Sequence, residues 1–438
     1  MLRLISNLPE PPNRLISLVL LGLGYGLFSL AAAESKRRLG KLHDLSWAPY
    51  YNLGINASPY SFSNEYPDMS SVGAVFSKSG FLGTGTLISP SVVVTAAHLF
   101  RNNLASPVPD PSDWQFTLSS PFDEAGQGRI FSVSRIVIHP GWEARLPQLG
   151  GQGDGDVLGV DLSIVLLDAN VTGVYPAKLP LGGIEPVGEK MVIGGFGNLV
   201  DGLNGPEKIS NKRRVGGTNV LDRVVEKVEN SNVPSEYLGG LLAMDFDSPQ
   251  LDGNSLGSGG ASIDNIPIGD SEPIPLSLES STAVGDSGGP AFMNISSSWR
   301  IVGSVSYGSS DSTYGDVTVY TRLANHLEWM KLYLPPWGQA RNLGTGGWLE
   351  SDWFGFFLPF SSKWNYHVAH GWIYASGLNE ESFWSWQSNL GWWWSGASVY
   401  PFIYSNERKS WLYFDRIQST GKKVVFFDFA QGEWILKE

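Results

Sequence analysis

The sequence predicts an all-β protein, and three observations carry the prediction. Short runs rich in β-branched residues recur along the first two thirds: "SVGAVF", "TGTLIS", "SVVVTAAH", "FSVSRIVIH", "LSIVLLD", "KMVIGGFG" and "WRIVGSVSYG". Gly, Pro and Ser turns separate them, a spacing that suits an antiparallel barrel or sandwich. The first persuasive helix is late, in "TRLANHLEWMKLYLPP", where Leu323, Leu327, Met330 and Leu334 share one helical face. Thr321 can cap its start, and Pro335 and Pro336 stop it.

The elements fall into five stretches. Residues 1–33 read as an export signal: Arg3 and Arg14 precede the apolar run Leu15 to Ala33, which ends in a small-residue A-x-A site. An uncleaved membrane anchor is the alternative, because the run is long enough to span a bilayer. Residues 34–54 are a pro-region or linker, and the strand-rich unit occupies 55–336. Within it, the Gly/Ser/Asp-rich stretch from Asp201 to Ser281 reads as long surface loops around one or two strands. Trp337 to Gly347 reads as a linker. Of 17 Trp, six precede Gly347 and 17 − 6 = 11 follow it, so residues 348–438 form a second, aromatic-rich β module.

Composition excludes several classes. With 30 Lys and Arg against 42 Asp and Glu, a net charge of −12, the chain lacks the basic stripes that nucleic acid requires. There is no cysteine, hence no disulfide, zinc-thiolate site or cysteine nucleophile. No cofactor is expected. A calcium site in "GDGDVLGVD" is a weaker reading than an acidic surface loop.

The chemistry centres on "STAVGDSGGPAF". Ser287 needs a base, a group to orient that base, and donors for a developing oxyanion. The same Gly-Asp-Ser triplet recurs at Gly269 to Ser271, but no glycine follows it and Pro273 does, so Ser271 is a turn residue. Around Ser287, Gly285, Gly288 and Gly289 permit a tight backbone, and the Gly285 and Ser287 amides could form an oxyanion hole. Of six histidines, His98 at a strand exit is the candidate base, against the alternative of a satisfied core histidine. Asp161, at the mouth of an apolar strand, is the candidate orienting carboxylate, against an ordinary strand-start turn. Asp154 and Asp156 compete, but in a glycine-rich loop that looks unsuited to precise orientation.

"TAAH" at Thr95 to His98, "DLSIVLL" at Asp161 to Leu167 and "GDSGGP" at Gly285 to Pro290 resemble the trypsin-like (chymotrypsin-fold) serine peptidases, in that family's order. "TGTLIS", "RIVIHPGW", "VIGGFGN", "VGSVSYG" and "VYTRLANHLEWMK" extend the resemblance across residues 55–336. It implies two six-stranded antiparallel β-barrels with a C-terminal helix and the site between the barrels. It implies that Ser287 attacks, His98 is general base then acid, Asp161 orients His98, and Gly285 and Ser287 supply the oxyanion hole. Ser306 would lie beside Asp161, and Ser306, Tyr307 and Gly308 would pair with substrate as an added strand. Ser281 would be the floor of the primary pocket and Thr318 its wall. With no acid at either place, the resemblance implies an uncharged, medium-sized residue before the scissile bond. Asp286 would pair with an α-amino group freed by cleavage before Ile55, although Gly54 is not a basic cleavage site. The disulfides common in the family are missing: Leu99 and Gly83 occupy one pair's positions, and Ala283 another's.

The tail repeats Trp364-x-Tyr366, Trp372-x-Tyr374, Trp384-x-Trp386, Trp392-x-Trp394 and Trp411-x-Tyr413, pairs that share a strand face. The favoured reading makes these rings the core of a small module; the sharper one is an exposed platform for cell-wall glycan or an envelope protein. The tail resembles aromatic C-terminal modules of secreted bacterial proteins. The expected function is an exported serine endopeptidase acting on protein or peptide substrates, secreted, periplasmic or on the cell surface. The alternatives are a non-catalytic binding protein on a peptidase fold and an HtrA-like envelope quality-control peptidase.

Overall fold

The computed structural model describes residues 39–41, 48–55, 65–80, 82–122, 130–148, 156–183, 185–202, 205–209, 212–260, 265–308, 312–360, 363–379 and 381–437. The export signal lies outside the described residues. No helix among those described is long and apolar enough to cross a membrane.

Six strands close the first barrel: β1 (Val72–Ser77), β2 (Leu82–Ser89), β3 (Val92–Thr95), β4 (Trp114–Thr117), β5 (Ile130–Ile138) and β6 (Ser163–Leu167). They run in the order β1-β2-β3-β6-β5-β4, and β4 pairs back onto β1. Inside, Val75, Leu87, Val93, Phe116, Phe131 and Val165 pack together. Closure removes the exposed sheet edges that would invite further pairing. At the base of this barrel, Leu99 lies against Gly83; a Cβ on Gly83 would stand 2.4 Å from the Leu99 Cδ1. The two positions that resemble a cysteine pair are therefore neighbours, joined by a leucine packed on a glycine.

The second half is a curled sheet of seven strands rather than a second closed barrel of six. It comprises β7 (Lys190–Gly195), β8 (Val215–Val220), β9 (Arg223–Val225), β10 (Leu241–Asp245), β11 (Pro290–Ile295), β12 (Ser298–Gly308) and β13 (Val317–Arg322). The order is β8-β7-β11-β12-β13-β10-β9. The Asn219 amide on β8 spans to the carbonyls of Asp245 and Ser280, at 2.8 and 2.9 Å, so a side chain bridges from β8 to the end of β10. Three of the seven strands, β8 to β10, come from the stretch read as long loops around one or two strands. "LLAMD" is buried on both faces and so shows no alternation to read.

The late helix is shorter than its apolar pattern implies. Leu323–His326 is a 3₁₀ turn and α-helix follows only over Leu327–Lys331. Thr321 is not its cap; it lies in β13, and its hydroxyl donates to the Asp161 carbonyl at 3.2 Å. The apolar face is as expected: Leu323 and Met330 are buried between the two halves, with Leu327 and Leu334 packed against them.

Before the first barrel, a helix over Ala48–Gly54 inserts Tyr50 and Leu53 into the cores. Leu39–Lys41 pairs in parallel with Leu199–Asp201. Thus the stretch read as a pro-region or linker contributes to the body formed by the barrel and the curled sheet.

The tail is one antiparallel meander of eleven strands in sequential order, from Arg341–Asn342 to Glu433–Lys437. Its first strand lies within the stretch read as a linker, and the Trp337 ring packs on Phe357 and Phe383. The tail meets the body through Gln339 Nε2 donating to the Ala177 carbonyl at 2.7 Å, Arg341 over the Tyr175 ring, and ion pairs Arg300–Glu381 and Lys178–Asp352. The buried face holds Phe357, Ile373, Phe383, Trp393, Ile403, Leu412 and Phe426. The Trp-x-Trp and Trp-x-Tyr positions lie on the opposite face, half-buried or exposed, with Trp372 at 52%. The reading of those rings as the core is therefore overturned: on a strand, residues two apart share a face, and the intervening residues are the ones that pack inward.

Candidate active site

Asp161 is fully buried just ahead of β6 and engages three donors. Its Oδ1 accepts from the His98 backbone N–H at 2.8 Å. Its Oδ2 lies 2.6 Å from His98 Nδ1 and accepts from the Ser306 hydroxyl at 2.7 Å. A carboxylate held by three donors has one available rotamer, and it fixes the imidazole with Nδ1 toward Asp161 and Nε2 on the far side. The "VVVT" strand ends at Thr95, and the small Ala96 and Ala97 leave room for the His98 ring at the exit.

Ser287 sits in the bend before β11. Thr84 N–H donates to the Ser287 carbonyl at 2.8 Å, and Gly288 N–H donates to Val305 at 2.9 Å, next to Ser306. Gly288 has φ +80°, and a Cβ there would stand 2.0 Å from Thr95 Oγ1 and 2.7 Å from Ala96 N. Only glycine lets the serine bend approach the strand end that carries His98. The structure thus brings His98, Asp161, Ser306 and Ser287 together from both halves of the fold.

The amides around Ser287 are oriented by their neighbours. Thr84 Oγ1 donates to the Gly285 carbonyl at 2.8 Å, and Asn198 N–H donates to Val284 at 2.9 Å. Gly289 N–H donates to the Asp286 carbonyl at 2.7 Å. With the Val284 and Asp286 carbonyls engaged, the N–H groups of Gly285 and Ser287 point the opposite way across their peptide planes. Neither N–H makes a hydrogen bond among the described residues. Gly285 itself has φ +101°, a conformation that favours glycine.

Asp286 is buried and its carboxylate accepts from Gly197 N–H and Ala283 N–H, each at 2.9 Å. The structure does not bring Ile55 to it. Ile55 is 55% exposed at the end of the Ala48–Gly54 helix, and its amide donates to the Tyr51 carbonyl.

The expected pocket residues form one hydroxyl cluster. Ser281 Oγ and Thr282 Oγ1 each lie 3.0 Å from Thr318 Oγ1, and all three are buried. Tyr307 and Gly308 pair with Val319 and Thr318 on β13, whereas the ladder between β12 and β11 ends at Ser304.

Two carboxylates compete differently than the sequence implies. Asp154 lies outside the described residues, but Asp156 is fully buried and meets Arg145 and the amides of Leu158, Val160 and Asp161. Burial pushes its pKa up, opposed by the Arg145 guanidinium. Among the described residues, no group of three His, Cys, Asp or Glu is arranged to hold a metal ion.

Two other titratable clusters flank the site. His139 Nε2 meets His326 Nδ1 at 3.2 Å, and His326 Nε2 meets the Gly159 carbonyl at 2.5 Å. Gly141 N–H donates to His139 Nδ1, so both rings are neutral and form one donor chain. Burial lowers His139 to about 3 and His326 to about 4. Behind the pocket, Asp222 accepts from Asp245 N–H and from the Ser271 hydroxyl. Burial and the neighbouring Asp245 push Asp222 up to about 8.

Residues 62–237 match the trypsin family model. The chain is similar to a tryptase of Mus musculus, 25% identical over 256 residues, covering 57% of this chain and 78% of the tryptase. It is similar to complement C1s subcomponent of Sus scrofa, 26% identical over 263 residues, covering 56% of this chain but only 31% of C1s. Trypsin-1 of Astacus astacus is 25% identical over 210 residues, covering 47% of this chain and 68% of that protein. The trypsin domain and these relatives mark the chain as a serine endopeptidase. The chain carries a trypsin domain over residues 62–237 and is similar to trypsin-like serine peptidases over about half of its length.

Proposed function

We propose that the chain hydrolyses peptide bonds through Ser287, His98 and Asp161. Ser287 Oγ attacks the scissile carbonyl as His98 Nε2 takes its proton, and Asp161 stabilises the imidazolium through Nδ1. The Gly285 and Ser287 amides donate to the oxyanion. His98 then protonates the leaving amine, and water, deprotonated by the same imidazole, releases the acyl group. The single observation that carries this reading is the Asp161 carboxylate, which meets His98 Nδ1 at 2.6 Å and Ser306 at 2.7 Å. A fluorophosphonate adduct on Ser287 tests it: one adduct by intact mass, absent from Ser287→Ala. No adduct on folded protein sinks the reading and favours a binding role.

The residue before the scissile bond is proposed to be uncharged and medium-sized, because Thr318 and Ser281 put hydroxyls, not an acid, at the pocket. A peptide library with fixed lysine or arginine at that position that outpaces leucine or valine refutes this. Substrate is proposed to add a strand along Ser306 to Gly308, supported by the end of the neighbouring ladder at Ser304.

Export by cleavage after Ala33 remains part of the reading, as does activation by a new N-terminus at Ile55. Sequencing the N-terminus of the mature protein tests both. Start sites after Ala33 alone, in a protein that labels at Ser287, mean activity as a single chain with Asp286 held by the Gly197 and Ala283 amides.

A second reading concerns the tail: its exposed face is proposed to bind glycan of the cell wall. The supporting observation is a continuous cross-strand aromatic ladder, with Trp384 opposite Trp394, Trp386 opposite Trp392, and Tyr404 opposite Trp411. Phe360, Trp364, Trp372 and Trp386 line a shallow recess on that face. Stacking of apolar sugar faces on such rings predicts retention on insoluble wall polymer, lost in Trp372→Ala/Trp386→Ala. Equal retention of the variant refutes it.

A further inference from the structure

We propose that Asp156, held by Arg145, is a positioning residue for the Asp161–His98 pair; the proposal rests on the triad reading above. The loop from Asp156 to Asp161 closes on its own first side chain. Asp156 Oδ2 accepts from Val160 N–H at 2.6 Å and from Asp161 N–H at 2.7 Å. Its Oδ1 accepts from Leu158 N–H at 3.0 Å and from the Arg145 guanidinium. Three backbone amides of one loop are thereby tied to one carboxylate, and the last amide tied is that of Asp161 itself.

The rest of the loop is fixed from outside. Gly159 has φ +69° and lies against Gly240, where a Cβ would stand 2.1 Å from the Gly240 carbonyl oxygen. Its own carbonyl meets His326. The Asp161 carbonyl accepts from Thr321. Asp161 is therefore held at its amide by Asp156 and at its carbonyl by β13, leaving only the side chain to meet His98.

The charge is essential to the arrangement. A carboxylate is acceptor-only and can take all four donors; an asparagine has one acceptor oxygen and presents an NH₂ to the other pair. Arg145 ends the Pro140–Arg145 helix, is buried, and stacks near the Trp142 ring, so it supplies the counter-charge without reaching solvent. A buried carboxylate without that partner would be unpaired, at high cost. Asp156 thus fixes the backbone that carries Asp161, and Asp161 is the carboxylate that meets His98 and favours the imidazolium that forms on attack.

Asp156→Asn and Arg145→Gln test the proposal on the full-length protein. Active-site titration corrects each rate for the folded fraction. In both variants kcat falls on the order of 10- to 100-fold with KM within about threefold, the signature of a misplaced catalytic group. The acidic limb of kcat/KM against pH moves to lower pH, because His98 loses support for its charged form. A structural role alone lowers the titratable fraction and leaves the limb in place. Arg145→Lys keeps the charge and restores most of the rate; it also serves if Asp156→Asn does not fold. Wild-type kcat and an unmoved limb in folded Arg145→Gln overturn the proposal. Failure of wild-type protein to take up the fluorophosphonate at Ser287 refutes the triad reading instead, a separate outcome.

Discussion

Arg214 ties three parts of the chain together, and its replacement gives a measurable prediction. The guanidinium is buried and donates to the carbonyls of Gly54, Val72 and Leu118. It thus joins the end of the Ala48–Gly54 helix to the first barrel. Gly54 packs so closely that a Cβ would stand 2.4 Å from the Arg214 carbonyl oxygen. Burial lowers Arg214 to about 10, so it is cationic at neutral pH. Arg214→Met keeps much of the side-chain volume but strips the donors from three buried carbonyls. Each orphaned acceptor costs about 1–3 kcal/mol, and relief of the buried charge offsets part of the sum. A net loss of about 3 kcal/mol follows, or a fall in Tm of roughly 6–10 °C for a unit of this size. Differential scanning calorimetry measures it. Tyr50 and Leu53 still anchor the helix, each by about 1.5–3 kcal/mol of apolar burial. Wild-type protein cut at Gly54–Ile55 should therefore retain the Ala48–Gly54 segment through gel filtration, and cut Arg214→Met should retain a smaller fraction of it. A Tm within about 2 °C of wild type refutes the reasoning about the three carbonyls.

Three further outcomes are expected. His139 and His326 have folded pKa values below the unfolded value, so the fold loses stability as pH falls from about 6.5 toward 4. Tm measured across that range should drop, and His326→Gln should flatten the drop. Asp222 is shifted the other way: its stabilising contribution is present at low pH and is lost as pH rises toward about 8. Asp222→Asn should remove that slope below pH 8, and an unchanged slope would mean that Asp222 does not carry it. Thr318→Gly removes the hydroxyl that meets both Ser281 and Thr282 and widens the proposed pocket. Activity on a phenylalanyl relative to a valyl substrate should rise about tenfold; an unchanged ratio places the specificity elsewhere.

The residues that the sequence could identify share a property: their role is set by local type and spacing. "TAAH" places His98 at a strand exit because β-branched residues give way to two alanines. Gly285 and Gly288 are legible because positive φ angles demand glycine. Asp156 was misjudged on the same evidence, since its neighbours are glycines and its partner Arg145 lies in a separate helix. A carboxylate that folds a loop around itself looks, in sequence, like any acidic loop. Strands β8 to β10 were illegible for a related reason. "LLAMD" packs one face into the interior of the curled sheet and the other into a second cluster with Leu256 and Ile266 from the loops, and burial of that kind leaves no alternation.

The tail shows what alternation can and cannot say. The Trp-x-Trp spacing correctly placed each pair of rings on one face of a strand. Which face turned inward depended on the alternate residues of the same sheet, among them Ile373, Phe383, Trp393, Ile403 and Leu412, all buried. Their rings and branches pack on Phe354 and Trp353 from the loop at one end of the sheet. The larger pairs are left outside, where they shield each other across strands, as Trp364 does with Tyr374 and Trp386. Cross-strand aromatic contact of this kind stabilises a sheet by well under 2 kcal/mol a pair, roughly 0.5–1.5 kcal/mol. The module already has a complete core on its other face, so stability alone does not call for so many half-exposed tryptophans. A surface that is large, apolar and dispensable to the core is a surface for contact. This physical asymmetry, rather than the tryptophan count, is what supports the binding role proposed for the tail.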